Sequence, residues 1–378
     1  MREILANRNI DSLSASRRRP YRDYGERVGR DERVGRDERV GRDERVGRLR
    51  RQEPVRWFDP QSIRPRSALV TQLVLLLSSA SLVACGDDSS STTSLALEFR
   101  ASDGVNPVTC EEGFDVAGEG TGSFNVGVSD IRFYVSNLRA FDSSGTELSL
   151  ELDENEFQYS GPSGWVGLID LTSNSAGDCS PEAIAFAEGT GRTNTEITGI
   201  AGGEVDRITF DVGVPQAVMR ETIADFTAEG APSPLNEMHW SWASAHRHFV
   251  FNFTVETQGG ETGDGYVHVG SRDCGGDGAR ALTDREACGL LYTPSVDLTG
   301  YDPAQVIDVN LARLLEGLDF VAPVYDPTTF EIIGEGPGVE CHSAPATQPH
   351  CNLLFGALGV DPSGGLSDAD LNEVFSLQ

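Results

Sequence analysis

The sequence contains no lysine, so its 30 basic side chains are all arginines, and they stand against 59 acidic residues. Nineteen of the arginines precede Cys85. The rest of the chain keeps 11 arginines and 47 acidic residues, a net charge near −36. Such an excess repels nucleic acid phosphates and anionic lipid surfaces, so we expect no nucleic acid partner. The charge suits a cation or a basic protein, although solubility is the simpler explanation.

Sequence signatures of catalysis are absent as well. The chain has no GxSxG, no Walker-type phosphate loop and no HExxH, and scattered carboxylates do not identify an acid–base pair. We therefore expect that the protein is not an enzyme. None of the seven cysteines forms a CxxC pattern, which disfavours a zinc or thiol-redox site.

An export signal precedes Cys85. Arg64 and Arg66 flank the uncharged run ALVTQLVLLLSSASLVA (68–84), which is short for a lasting membrane helix and ends in small residues, as signal peptides do. The LVAC at 82–85 resembles the lipobox of bacterial lipoproteins. That resemblance implies cleavage before Cys85, lipidation of Cys85, and a membrane anchor in the periplasm or at the cell surface. An ordinary signal peptide with a chance cysteine is the alternative.

The segment ahead of this signal does not predict a folded domain. Between residues 25 and 48 the hexad DERVGR repeats, with valine as its only apolar residue, so the segment cannot bury enough surface to offset chain entropy. A misassigned start codon, with the true start near Val55, would explain it. The predicted organisation is a disordered Arg/Asp/Glu repeat leader (1–66), a lipoprotein signal peptide (67–84), a polar tether (85–94) and a β domain (95–378).

The six remaining cysteines are an even number in an exported chain, which indicates disulfides, and six cysteines allow 15 pairings. Their spacing suggests three bonds, namely Cys274–Cys288, Cys341–Cys351 and, as the remainder, Cys110–Cys179.

Alternating apolar and polar residues predict strands in most of the domain. The clearest runs are 94–101, 129–141, 206–214, 248–257 and 265–271. Helical patterning is confined to 216–227 and 306–317. We therefore predict an all-β fold, an antiparallel β-sandwich or barrel-like structure with long loops, a few short helices and up to three disulfides.

The stretch most informative about function is LNEMHWSWASAHRHF (235–249), which holds three of the six histidines. On a regular strand, Met238, Trp240 and Trp242 would share one face and His239 would point to the other. Thioether and imidazole groups are ligands that suit copper. Indole has no lone pair for a metal, so a tryptophan beside such ligands either shields a cation with its ring face or is chemically altered.

At this point the sequence resembles the MbnP-type proteins, the four-Cys "metallo-mystery pair" family encoded beside a di-haem partner of the MauG and cytochrome c peroxidase type. Five segments in order carry the resemblance: LALEFRA (95–101), DRITFDVGVP (206–215), LNEMHWSW (235–242) with its WxW motif, YVHVGSRDC (266–274) with Cys288 as companion, and CHSAPATQPHCNLLFGALGV (341–360).

The resemblance implies copper binding in the periplasm, next to a tryptophan that the di-haem partner oxidises to kynurenine. The matching tryptophan is Trp240, with Trp242 as its motif partner. The candidate copper ligands nearby are His268 first, then Met238 and His239. Copper homeostasis is the function implied.

Other interpretations of these residues stay open. His246 and His248 are either extra ligands or exposed polar residues. His342 and His350, each beside a cysteine, are expected to be solvent-exposed, with a second metal site as the alternative. The tryptophans could belong to a core, or could stack on sugars in an adhesive or sugar-binding β-sandwich lipoprotein, which is the alternative function.

Overall fold

The computed structural model describes residues 92–378 except 111–112, 120–121, 172, 175–176, 179–192, 226–229, 241–244 and 275–287. The predicted leader and signal peptide, the tether as far as Ser91, and the lipidation site Cys85 lie outside the described residues. Within them, no helix has the length and apolar character needed to cross a membrane.

Strands and short helices alternate along the chain as follows. The first part contains β1 (Thr93–Ser102), β2 (Phe114–Ala117), β3 (Ser123–Phe141), β4 (Glu147–Leu148), β5 (Leu150–Leu152), β6 (Gln158–Gly161), β7 (Gly164–Asp170), β8 (Ser173–Asn174), β9 (Gly177–Asp178), β10 (Glu196–Ala201), β11 (Arg207–Val212) and α1 (Gln216–Asp225). The second part contains β12 (His239–Trp240), β13 (Ala245–Thr257), β14 (Thr262–Gly270), β15 (Arg272–Cys274), β16 (Cys288–Leu290), β17 (Ser295–Thr299), β18 (Ile307–Asn310), α2 (Leu311–Leu315), β19 (Val321–Tyr325), β20 (Ile332–Pro337), β21 (Val339–His342), α3 (His350–Ala357), β22 (Leu358–Val360), β23 (Ser367–Asn372) and β24 (Phe375–Leu377).

Two open sheets carry the fold. The smaller sheet has the order β24-β18-β1-β10-β5, and the larger, of eleven strands, has the order β17-β11-β3-β13-β14-β21 with five further strands paired alongside. The expected all-β sandwich is therefore confirmed, with sheets that do not close. Most pairs are antiparallel, but β1 with β18 and β14 with β21 are parallel.

The main core lies between these sheets. Phe99 of β1 meets Phe133 of β3 and Phe210 of β11 edge-on, with ring centroids 5.5 and 5.8 Å apart. Along β13, Phe249 and Phe251 also point into this core. Because side chains alternate along a strand, the residues between them face away from the core.

The opposite face of the large sheet is covered by α1 and the segment 230–240. Tyr134 and Leu168 of the sheet form a second buried apolar cluster with Val218 of α1 and with Leu235 and Met238 of the segment. This covered outer face carries the candidate site.

The disulfides Cys274–Cys288 and Cys341–Cys351 are present, as predicted. Cys110 is also disulfide-bonded, and its expected partner, Cys179, lies outside the described residues.

The predicted helix over 216–227 is confirmed as α1, but the helix predicted over 306–317 is wrong in its first half. Ile307 and Val309 are buried in β18, which lies between β1 and β24. The helix begins only after Asn310, whose side chain accepts a hydrogen bond from the backbone N–H of Arg313 at 2.9 Å. Pairing on both sides outweighs the short helical pattern.

Candidate metal centre

His268 occupies the outer face of the large sheet. Its neighbours in β14, Val267 and Val269, point into the sandwich core, so alternation turns His268 to the other side. Its cross-strand partner in β13 is Val250, which belongs to the same buried cluster as Met238. His268 is only 8% exposed.

His342 stands beside His268. The parallel register of β14 and β21 pairs these two residues directly. Val339 and Cys341 of β21 are core residues, so alternation places His342 on the outer face with His268.

The expectation that His342 and His350 are solvent-exposed is wrong. His342 is half-buried and His350 is 8% exposed. The Cys341–Cys351 bond joins β21 to α3, and His350 accepts a hydrogen bond from the backbone N–H of Glu340 at 3.1 Å. The loop therefore folds back on the domain instead of projecting into water.

The two imidazoles face each other through the same ring atom. Nδ1 of His268 lies 2.9 Å from Nδ1 of His342, with ring centroids 4.7 Å apart. Nε2 of His268 lies 2.8 Å from Oδ1 of Asn252. The ring of Tyr266 stacks on that of His342, with centroids 6.0 Å apart and an interplanar angle of 27°.

Backbone contacts hold the pair in place. The Ser343 hydroxyl donates to the carbonyl of His268 at 2.9 Å and accepts from the backbone N–H of Gly270 at 2.8 Å. Arg272 donates to the carbonyl of His342 at 3.0 Å, and the amide oxygen of Gln348 accepts from the His342 N–H at 2.7 Å. These contacts fix the backbone at both histidines.

Both imidazoles are held in the neutral form. Burial, reinforced by His342, Arg247 and Arg132, places the pKa of His268 well below its usual range. Burial, together with Arg247 and Arg272, lowers the pKa of His342 to about 4. Neutral imidazole is the form that binds metals, so neither ring needs to lose a charge-bearing proton to serve as a ligand near neutral pH.

The separation of the two nitrogens fits neighbouring ligands of one metal ion. If an ion lay about 2.0 Å from each nitrogen, their separation of 2.9 Å would give a nitrogen–metal–nitrogen angle of roughly 90°. That bent arrangement leaves further coordination positions open. Among the described side chains, no group of three or more His, Cys, Asp or Glu converges as a metal site, so the pair needs ligands of another type or from the WxW segment.

The WxW segment approaches the same face of the sheet. β12 pairs antiparallel with β13, setting His239 opposite His246 and Trp240 opposite Ala245, and β13 in turn pairs with β14. The ring centroids of His239 and His246 are 5.4 Å apart. The side chain of Trp240 and the whole of Trp242 lie outside the described residues.

Met238 does not follow the alternation expected for this segment. It has a φ of 49°, in the left-handed region, so the chain is not extended there. Met238 therefore precedes the strand, which begins at His239, and the strand-face prediction does not apply to it. Met238 is fully buried in the cluster that includes Val250, the cross-strand neighbour of His268.

The comparisons with known proteins agree with this architecture. A family model described as MbnP matches residues 92–331. The chain belongs to the MbnP family.

A solved structure of MbnP from Methylosinus trichosporium has the same fold, with a TM-score of 0.54 and 23% sequence identity over 76% of this chain and 98% of the other. A search of curated proteins finds no match. MbnP-family membership indicates a metal-related protein. Paired imidazoles are groups that bind metal ions.

Beside the histidines, a buried ion cluster anchors the WxW segment of this MbnP-family chain to the sheet. Arg132 of β3 donates two hydrogen bonds to Asp130, at 2.8 and 2.7 Å, and lies 3.6 Å from Glu237. The hydroxyl of Tyr134 lies 2.7 Å from the carbonyl oxygen of Glu237 and 2.8 Å from that of Pro234. Glu237 precedes Trp240 by three residues, so these contacts hold the chain against the sheet just before the WxW motif.

His246 and His248 are fully buried, which removes the exposed-residue interpretation for both. Nε2 of His246 lies 2.8 Å from the carbonyl oxygen of Leu235. Nδ1 of His248 lies 3.2 Å from the carbonyl oxygen of Tyr292, and its Nε2 lies 3.1 Å from the hydroxyl of Ser271. These contacts give His248 a structural role.

The buried His248 predicts a pH-dependent stability. Burial lowers its pKa to about 4, against 6.5 when unfolded, so between these values the unfolded chain binds the extra proton. The contribution of His248 to the free energy of unfolding is therefore complete above pH 6.5, and it falls by roughly 3 kcal/mol as the pH drops to 4. Urea unfolding of metal-free protein at pH 7 and 4.5 measures it. His248→Gln should lose less stability over that interval than the wild type, and equal losses would contradict the assignment.

From the sequence, His342 was expected at an exposed position, with a second metal site as the alternative, and it was not grouped with His268. The available signal was its position directly after Cys341: if a disulfide cysteine on a strand points into the core, its neighbour points out. Asn252 and Arg132 were not predicted either. A polar residue within an alternating strand is expected to face solvent, and the sequence does not show that α1 and the segment 230–240 cover this face of the sheet.

Proposed function

We propose that the protein binds copper at the His268–His342 pair, beside Trp240 oxidised to kynurenine by a di-haem MauG-like partner, and serves copper homeostasis. The observation that carries the proposal is the 2.9 Å approach of two neutral Nδ1 atoms on a covered face of the sheet. Soft and borderline ligands of this type suit copper, whereas hard cations prefer oxygen.

The protein's own groups have separate tasks in this proposal. His268 and His342 supply two neighbouring nitrogen ligands. Met238, held in the adjacent apolar cluster, is the candidate thioether ligand, and His239 at the start of β12 is a further candidate. The aromatic ring of Tyr266 and the apolar cluster limit access of water to the nitrogens.

The modification of Trp240 has a ligand-chemistry reason. Opening the C2–C3 bond of the indole would consume two equivalents of peroxide at the partner's haems. Each would give one oxygen atom to the product and leave its other oxygen as water, and hydrolysis would then release formate. The product carries a ketone and an aniline nitrogen where the indole offered no lone pair. The bent histidine pair leaves room for such a donor.

The location belongs to the same proposal. Cleavage before Cys85 and lipidation of its sulfur would keep the protein outside the cytoplasm, in the periplasm or at the cell surface. Two confirmed disulfides suit an oxidising compartment.

Peptide mass spectrometry across Trp240, with metal analysis of the same preparation, tests the proposal. Protein from its native host should carry kynurenine at Trp240 and bound copper, and a Trp240→Phe variant should lose the modification. A Trp242→Phe variant is the matched control and should keep it. Unmodified Trp240 with no bound copper, while the di-haem partner is expressed, would contradict the proposal.

A further inference from the structure

Asn252 contributes to the site in a way other than supplying a metal ligand. It lies in β13, two residues after Val250, and therefore on the same outer face as His268. Its Oδ1 lies 2.8 Å from Nε2 of His268, on the side of the ring away from His342.

Asn252 lies between two polar register partners on the outer face of the sheet. In β3, on one side, its register partner is Asp130, and in β14, on the other, it is Tyr266. Directly opposed residues on one face have Cβ atoms about 5 Å apart. The end of the amide that lies towards Nε2 of His268 is its oxygen, Oδ1.

An amide oxygen can only accept a hydrogen bond, so Nε2 of His268 must carry the proton. A neutral imidazole has a single N–H, and Nδ1 therefore presents its lone pair towards His342. In the metal-free protein, Nδ1–H of His342 can donate across the 2.9 Å gap. Moving that proton to Nε2 of His342 frees both Nδ1 lone pairs without changing the charge of either ring.

We infer that Asn252 is a positioning residue that fixes the tautomer of His268 with its proton on Nε2, so that Nδ1 is the atom offered to a metal. The tautomer stands on the hydrogen-bond geometry alone, whereas its consequence for copper rests on the proposed function. Partners of this kind around metal-binding histidines fix ring orientation, and their loss typically weakens metal binding by about 10–100-fold.

The tautomer can be read in metal-free protein by long-range proton–nitrogen NMR of the labelled His268 ring. The wild type should show the proton on Nε2. Asn252→Leu removes the acceptor and should move the proton largely to Nδ1, where it can bond His342. Asn252→Asp keeps an acceptor and should restore the Nε2–H form, a rescue that a purely packing role for Asn252 does not predict.

Copper titration against a competing chelator gives the second readout. Asn252→Leu should bind copper roughly 10–100-fold more weakly than the wild type, and Asn252→Asp should recover most of the loss. A wild-type Nδ1–H tautomer, or an unchanged tautomer in Asn252→Leu, would overturn the inference. If Asn252→Leu does not fold, the wild-type tautomer and the Asn252→Asp affinity decide. A wild type with the Nε2–H form that binds no copper would sustain the tautomer inference and overturn the proposed function instead.

Discussion

His342→Ala is expected to weaken copper binding by at least about 100-fold, because it removes one of two ligands, and even the loss of an outer partner costs up to that much. His268→Ala should have a similar effect. Combining the two changes should cost less than the sum of both in free energy, since both nitrogens serve one ion.

His350→Gln is the matched control for His342→Ala. His350 lies in the same disulfide loop, but its ring bonds Asp319 and the backbone of Glu340. It should leave copper affinity within a few fold of the wild type, as measured by chelator competition on folded protein. Equal losses in both variants would show that the loop, and not the His342 ring, is what matters.

Arg132→Met is expected to destabilise the fold by about 3–5 kcal/mol. The guanidinium is 1% exposed and lies against the buried carboxylates of Asp130 and Glu237, so its removal takes away a buried positive charge that both carboxylates contact. Urea unfolding at pH 7 measures the loss. Adding Glu237→Gln to the same chain should recover part of it.

Arg139→Met provides the comparison for this large effect. Arg139 pairs with Glu147, but both side chains are about half exposed, and water screens such a pair. Its replacement should change the unfolding midpoint little. If Arg132→Met were equally mild, the cluster would not be holding the WxW segment to the sheet.

The strands on either side of the site were predictable because their pattern is local. The alternation of β13 and β14 follows directly from Phe249, Phe251, Val267 and Val269, and it fixes the facing of His268. The nearby disulfides were predictable too, since each closes a short loop of 14 or 10 residues.

The pairing of His268 with His342 was not predictable by the same means. It depends on a parallel register between strands whose paired histidines are 74 residues apart, and periodicity carries no information about which distant strands pair. The turn at Met238 was missed for a related reason. A single left-handed residue interrupts the alternation without the glycine that usually marks such a position.

Copper-edge X-ray absorption of the copper-loaded protein tests the central claim most directly. The account predicts the multiple-scattering signature of two imidazoles, with nitrogen at about 2.0 Å, reduced to one in His342→Ala. Copper surrounded by oxygen or sulfur with no imidazole signature in the wild type would contradict it.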